Sequence, residues 1–354
     1  MKKVFDEVAK IWPNTNCQIE AITSDEVLLS SLMVNELSVV KTNEGWRFQI
    51  SIAQQCPFVT VDKDYQHIEV HNFLAVEQRP EYSYQRFLLR TAFECRFAYE
   101  GIVSFHASCV ELSGEAICFT GDSGMGKSTR AKAWVDGLGA EFISGDRPAI
   151  RLEEGGNVAC GVPWDGKEQI FRNVERPLKA ILEVRRAPFT RLRRLSYEQA
   201  CRMAIRQAFI PMWDPDTAAL AIANVYRMCR TTPVYRLFCG PDQDAAREVH
   251  RILFDHPEEI EEELPEMNIK PGFTLRRVVG ENMVMPTGKN IKDFGGTVVL
   301  NEVSAFIYEQ LKQPISREDL LAQILAEYDV DEATASADLD ALLDQFRQMD
   351  MLEE

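Results

Sequence analysis

Long apolar runs are missing from this chain of 354 residues; none approaches the ~20 residues that a membrane span needs. Basic charge is in short supply, with 39 Lys and Arg against 55 Asp and Glu and a net charge of −16. That balance argues against nucleic acid, whose phosphates such a surface repels. Histidine is scarce: the five residues lie at positions 67, 71, 106, 250 and 256, with no H-E-x-x-H pair among them. His67 and His71 are four apart, but Gln66-His-Ile-Glu-Val-His-Asn72 has the alternation of a strand, so no metal pair is expected there. The nine cysteines are odd in number and scattered, without C-x-x-C spacing, which fits reduced thiols better than disulfides or a zinc site. An apolar signal core is also lacking, since Met1-Lys-Lys-Val-Phe-Asp-Glu-Val-Ala-Lys10 places acids where one would lie. A cytoplasmic protein of two or three folding units is expected, with no membrane and no nucleic-acid partner.

What the chain does have is Gly121-Asp-Ser-Gly-Met-Gly-Lys-Ser128, a match to G-x-x-x-x-G-K-[ST]. An apolar run, Ala116-Ile-Cys-Phe-Thr120, precedes it as a strand, and Thr129-Arg-Ala-Lys-Ala-Trp-Val135 follows as a helix. A phosphate-binding loop needs this context: glycines let backbone N–H groups turn inward, and the helix N-terminus adds partial positive charge. The expected nucleotide contacts are Gly121, Asp122, Ser123, Gly124, Met125, Gly126, Lys127, Ser128 and Thr129. Lys127 is placed to reach the β/γ-phosphates of ATP and Ser128 to ligate Mg²⁺.

Residues 1–100 alternate over short stretches such as Phe58-Val-Thr-Val-Asp62 and read as β-rich, with a helix over Tyr82–Tyr99. Residues 101–254 mix strands and helices around the loop. Residues 255–267, acidic and bounded by prolines, read as a linker. Residues 268–354 form a separate module of three short strands and three helices, the second helix opening at Ser316 with Asp319 in the capping-box position. Charge is uneven: Asp165–Arg206 carries a net +6 and Glu266–Glu354 a net −9.

Two segments flank the loop in sequence, Phe105-His-Ala-Ser-Cys-Val-Glu-Leu112 and Phe142-Ile-Ser-Gly-Asp-Arg147. A strand ending in a carboxylate beside a phosphate loop can hold the metal or accept the proton of an attacking hydroxyl. With these residues, 85–250 resembles the HPr kinase/phosphorylase superfamily, whose pattern is a strand with His, then G-D-S-G-x-G-K-S, then a strand ending in Asp-Asp-Arg. The resemblance implies an α/β (α+β) P-loop kinase core of the HPr kinase type, an ATP-dependent phosphotransferase, and homo-oligomers. It assigns catalytic roles to Asp146, Lys127 and His106, with Asp146 and Ser128 as metal ligands. The chain departs from the pattern at Gly145, where the family has its first aspartate. His106 either orients Asp146, contacts phosphate or is satisfied within the fold. A turn similar to the family's Pro-Trp-x-Gly, Gly161-Val-Pro-Trp-Asp-Gly-Lys-Glu168, adds Trp164 and Lys167 as acceptor-side candidates. Arg147 and Arg176 are further candidates for phosphate contact.

The C-terminal module resembles the PqqD family, small winged-helix-like domains that recognise precursor peptides of ribosomally made, modified natural products. Lys270-Pro-Gly-Phe273, Val298-Val-Leu-Asn-Glu302, Tyr328-Asp-Val-Asp331 and Ala337-Asp-Leu-Asp-Ala-Leu-Leu343 carry the likeness. It implies that a leader peptide adds to a sheet edge, with Thr297, Val298, Val299, Leu339 and Leu343 as contacts. A kinase joined to such a module is expected to phosphorylate a Ser or Thr of a captured precursor peptide. Two other readings stay open: a kinase for a small molecule such as free serine with a regulatory C-terminal module, and a non-catalytic nucleotide-dependent peptide-binding protein.

Overall fold

The computed structural model describes residues 18–21, 37–50, 58–71, 80–164, 170–262, 264–288 and 296–353. They fall into two compact units, Met1–Glu262 and Glu263–Glu354. The first opens with strands β1 (Gln18–Ala21), β2 (Leu37–Lys41), β3 (Gly45–Ile50), β4 (Phe58–Asp62) and β5 (His67–His71), arranged β1-β5-β4-β3-β2. Alternation along β4 and β5 turns Val59, Val61, Ile68 and Val70 inward, where with Phe48 they join Leu88, Ala92 and Phe93 of helix α1 (Pro80–Tyr99) in one core.

A larger sheet follows. Its elements in chain order are β6 (Ile102–Ser104), β7 (Ala107–Leu112), β8 (Glu115–Thr120), α2 (Lys127–Leu138), β9 (Glu141–Ser144), β10 (Ala149–Arg151), β11 (Val158–Cys160) and β12 (Glu175–Arg186). Then come β13 (Arg191–Arg194), α3 (Tyr197–Gln207), α4 (Pro215–Thr231), β14 (Val234–Cys239), α5 (Gln243–His250) and β15 (Glu261–Glu262). The twelve-residue β12 belongs to two neighbourhoods. Its first part pairs antiparallel with β11, and from Leu178 it runs parallel to β8, with a register irregularity between Leu178 and Ala180, and from Ile181 parallel to β14 on the other side. These parallel strands read as near-continuous apolar runs because both faces are covered. Ile117, Phe119, Leu182 and Leu237 pack under Ala131 and Trp134 of α2 and Val249 of α5. Cys118 and Ile181 pack on the other face under Ala200 and Met203 of α3 and Val225 and Met228 of α4. The seven described cysteines in this unit are buried and unbridged.

One buried cluster interrupts the apolar core. Glu183 on β12 accepts from Arg185 at 3.0 Å and from Arg236 on β14 at 3.0 Å, all three side chains being almost fully buried. Burial alone would raise the Glu183 pKa, but the two guanidinium groups outweigh it and hold the carboxyl below its usual range.

The acidic stretch 255–267, expected as a linker, is structured along most of its length. Arg251–Asp255 continues α5 as a wider turn, Pro257–Glu259 forms a 3₁₀ turn, and Glu261–Glu262 add to the sheet edge as β15, parallel to β13. The physical reason is charge. Arg251 clamps Glu248 and Glu259 at 2.8 and 2.5 Å, and Arg193 on β13 lies 3.4 Å from Glu261.

The second unit holds β16 (Glu266–Ile269), β17 (Phe273–Val278), β18 (Glu281–Pro286), β19 (Val298–Leu300), α6 (Glu302–Gln310), β20 (Ile315–Ser316), α7 (Arg317–Glu327), α8 (Glu332–Gln348) and β21 (Leu352–Glu353). Two three-stranded sheets form, β17-β18-β19 and β20-β16-β21. Each helix starts on a side-chain cap: Asn301 accepts from Ser304 N at 2.7 Å, Ser316 from Asp319 N at 3.1 Å, and Asp331 from Thr334 N at 3.0 Å. Tyr308, Leu311, Leu320, Ile324, Leu339, Leu343 and Phe346 close the core. On α6, Ala305, Ile307 and Tyr308 supply the buried face, while Val303 is exposed.

Replacing Glu183 by Gln removes the buried carboxylate that Arg185 and Arg236 share, for an expected loss of about 3–5 kcal/mol in urea unfolding at pH 7. Because the folded carboxyl titrates below its usual ~4.3, the wild type keeps this contribution above that pH and loses it as pH falls through the lowered folded value. The gap between the two proteins therefore narrows in acid. A constant gap from pH 7 to pH 3 contradicts the account.

Candidate functional site

Strand β8 ends at Thr120, and the chain must turn sharply to start α2 at Lys127. Gly121, Gly124 and Gly126 make that turn at φ 136°, 84° and 90°, where residues with a Cβ are strained. Gly126 is also tight: a Cβ there would stand 2.2 Å from Arg130 Nη1. Arg130 cannot yield easily, because its buried guanidinium donates to Cys239 O at 2.9 Å and Met125 O at 3.4 Å. Gly126 stands at the N-cap of α2 with no side chain, so the cap residue supplies no acceptor to the first-turn N–H groups. Lys127 Nζ donates back to Gly121 O at 3.0 Å and Asp122 O at 3.2 Å. Burial lowers its pKa, with Asp146 and Asp122 opposing. The Asp122 carboxylate accepts from Gln207 Nε2 at 3.3 Å, and Arg186 donates to Gly124 O. Ser123 and Thr129 are exposed on the loop and first turn.

The flanking segments meet at this loop. Ala107 N donates to Asp146 O at 2.8 Å, and Thr120 Oγ1 donates to His106 O at 2.8 Å, tying the start of β7 to the end of β8 and to the turn after β9. His106 Nε2 then lies 3.4 Å from Asp146 Oδ1. The His106 hydrogen bond is the largest influence on Asp146 and holds its carboxyl below the usual range, against burial and with help from Arg147 and Arg90. Ser108 of β7, two residues after His106, donates to Gly145 O at 2.8 Å and lies 3.2 Å from Ser128 Oγ. One hydroxyl thus links the first turn of α2 to the backbone just before Asp146. A Cβ at Gly145 would make only ordinary contacts, 3.5 Å from Ile170, so packing does not demand glycine there.

This arrangement suits a polyphosphate carried with a divalent cation. It offers an uncapped helix start, a loop too tight for a Cβ at Gly126, a primary amine resting on two loop carbonyls, a hydroxyl at Ser128 and a carboxylate held ionised at Asp146.

The other sequence candidates are placed differently. Lys167 lies outside the described residues. Trp164 does not line a site: it is buried beneath α1, with ring centroids 5.6 Å from Phe93 and 5.9 Å from Phe97. Large aromatic area is most readily placed in a core, and the turn that carries it buries the indole. Arg176 pairs with Glu111 at 2.8 Å rather than facing the loop. In the second unit Thr297 and Val299 are exposed on and beside β19, the edge strand of its sheet, and Val298 is half-buried. Leu339 and Leu343 are fully buried in the core and offer no side chain to a docking groove, since the inner face of α8 is spent on packing. The residues that sequence reasoning passed over are Ser108, Arg130 and Gln207. Only Ser108 had a signal, its place two residues from His106 in a strand. A cavity of about 700 Å³ also opens on the N-terminal sheet beside Phe58, Thr60, Asp62, His67, Glu69 and His71, sharing no residue with the loop. No helix among the described residues is long and apolar enough to cross a membrane.

Residues 281–352 match the family described as Coenzyme PQQ synthesis protein D (PqqD). A search of curated proteins finds no match to the chain. Among solved structures, one described as TbiB1 in complex with the TbiA(beta) leader peptide is 23% identical over 24% of this chain and 94% of its own, with a TM-score of 0.21. The HPr(Ser) kinase/phosphatase from Coxiella burnetii is 10% identical over 44% of this chain and 90% of its own, with a TM-score of 0.25.

Gly126→Ala is expected to weaken binding of a polyphosphate at the loop at least about tenfold in titration calorimetry, through the left-handed backbone and the clash with Arg130. Gly139→Ala is the control. Gly139 ends the same helix at φ 73° with open space around it, so its variant pays the backbone strain alone and keeps its affinity. Equal affinities for the wild type and Gly126→Ala contradict the cradle.

Proposed function

We propose that the chain is an ATP-dependent kinase that phosphorylates a Ser or Thr hydroxyl of a precursor peptide captured by its C-terminal unit. The observation that carries the first half is the meeting of Asp146, held ionised by His106, with the Gly121–Ser128 loop. The match of residues 281–352 to PqqD supports the second half.

In this reading Ser128 and Asp146 would hold Mg²⁺, which would neutralise charge on the phosphates. Lys127 exchanges its bonds to Gly121 O and Asp122 O for the transferring phosphoryl group. The acceptor hydroxyl oxygen bonds to the γ-phosphorus, the bond from phosphorus to the ADP oxygen breaks, and the hydroxyl proton passes to Asp146. His106 orients that carboxylate. Ser108 keeps the start of α2 in register with the Asp146 turn. Gly145 leaves one carboxylate where the resembling kinases have two, so Asp146 carries the proton transfer alone.

Peptide capture is assigned to β19. As an edge strand it offers one row of backbone groups to an added strand, and Val299, 56% exposed, supplies an apolar contact. Tethering of this kind raises the local concentration of the acceptor to about millimolar for short flexible connections.

Lys127→Ala is expected to lower phosphoryl transfer from ATP by about 10²–10³-fold, the usual consequence of losing one such electrostatic contact; radiolabelled ATP provides the assay, and near-normal turnover sinks the mechanism. Val299→Asp is expected to raise KM for a precursor with its leader at least about tenfold by unpairing the β19 edge, with kcat held. If leader-bearing and leaderless peptides respond alike, the C-terminal unit has another role.

A further inference from the structure

Asp146 is followed in the chain by Arg147, which meets a second charged group on α1, where Arg90 and Glu94 stand one turn apart. Glu94 is buried, with its side chain 1% exposed. Its Oε1 accepts from Ser104 Oγ at 2.6 Å and lies 3.9 Å from Arg147 Nη1, and its Oε2 lies 3.6 Å from Arg90 Nε. A single carboxylate, already engaged by a hydroxyl, thus serves two guanidinium groups at distances longer than a hydrogen bond. Both arginines reach solvent, with side chains 20% and 25% exposed.

Arg147 follows Asp146 directly in the chain, and Glu94 holds Arg90 to the same cluster. The charges of both arginines act on Asp146. Two solvent-reaching guanidinium groups beside the candidate base are placed to meet an anionic group carried by the molecule that brings the hydroxyl. Guanidinium groups select carboxylates through paired N–H donors in a fixed plane.

We propose that Arg90 and Arg147, held from behind by Glu94, form an acceptor subsite that recognises an acidic side chain next to the Ser or Thr to be phosphorylated. The inference rests on the kinase reading above and adds the sequence context of its substrate. Arg90 is its specificity residue and Glu94 a positioning residue.

The test uses the full chain and three blocked heptapeptides, acetylated and amidated, each with a central Ser flanked on both sides by Asp, by Asn or by Lys. The Asp peptide is expected to exceed the Asn peptide at least tenfold in kcat/KM, mainly through KM, with the Lys peptide last. Arg90→Gln should erase most of that preference, and Arg90→Glu should reverse the order of Asp and Lys. Equal kcat/KM for the Asp and Asn peptides, or a preference unchanged in both Arg90 variants, overturns the inference while leaving the kinase reading intact. Fluorescence anisotropy with the same peptides carrying Ala for Ser, in the presence of ADP, separates the two claims. Tighter binding of the Asp peptide that depends on Arg90 upholds the subsite even when no peptide is phosphorylated, in which case the kinase reading falls. Binding that does not depend on flanking charge removes the subsite. Thermal melting of both variants guards against misfolding, and Arg147→Gln, altered on a different element, gives a second reading of the same loss.

Discussion

Strand β12 has to satisfy two ladders at once. Glu175, Arg176 and Pro177 answer to β11 across an antiparallel one, while Ile181, Leu182 and Glu183 lie between β8 and β14 in a parallel one. The ladder with β8 shifts register between Leu178 and Ala180. The parallel pairing sets Glu183 opposite Thr120, the last residue of β8, and Arg186, three residues on, donates to the carbonyl of Gly124. With β12 parallel on one side, β7 antiparallel on the other and helices on both faces, the end of β8 is held in place by the fold itself.

Electrostatics in this unit is arranged in pairs of opposite purpose. Glu183, Arg185 and Arg236 spend their charges on one another in a dry interior, where the geometry has to be good to offset desolvation. Closer to solvent, Asp146 sits amid His106, Arg147 and Arg90, with each side chain partly open. The first cluster holds two strands together. The second keeps charge accessible, as a site needs, because a group that is completely paired and buried has little left to offer a substrate.

The sequence made the loop legible because its chemistry is local: glycines, a lysine and a serine at fixed spacing, between a strand and a helix. The helix starts of the C-terminal unit were legible for the same reason, each resting on a cap three residues from its partner N–H. What depends on distant contacts was not. Arg130 looks like an ordinary surface cation of a helix until Cys239, more than a hundred positions away, supplies the carbonyl that draws it under the loop. The acid run at 258–262 has the composition of a linker, and the basic strand β13, Arg251 and His256 give it partners. Trp164 and the pair Leu339 and Leu343 show the converse. A turn or a helix near a site need not send its side chains there, and these three are taken by the core. Lys167 falls outside the described residues.

The resting position of Lys127 sets an entry threshold for the loop. Its amine already has two carbonyl partners, Gly121 and Asp122, so an incoming anion must first compete with the protein's own backbone. A small monovalent ion offers too little in exchange to draw the amine away, whereas a chain of phosphates engages the uncapped helix start at the same time and recovers the difference. An anion that approaches the loop is therefore weighed first against the two carbonyl bonds that Lys127 gives up.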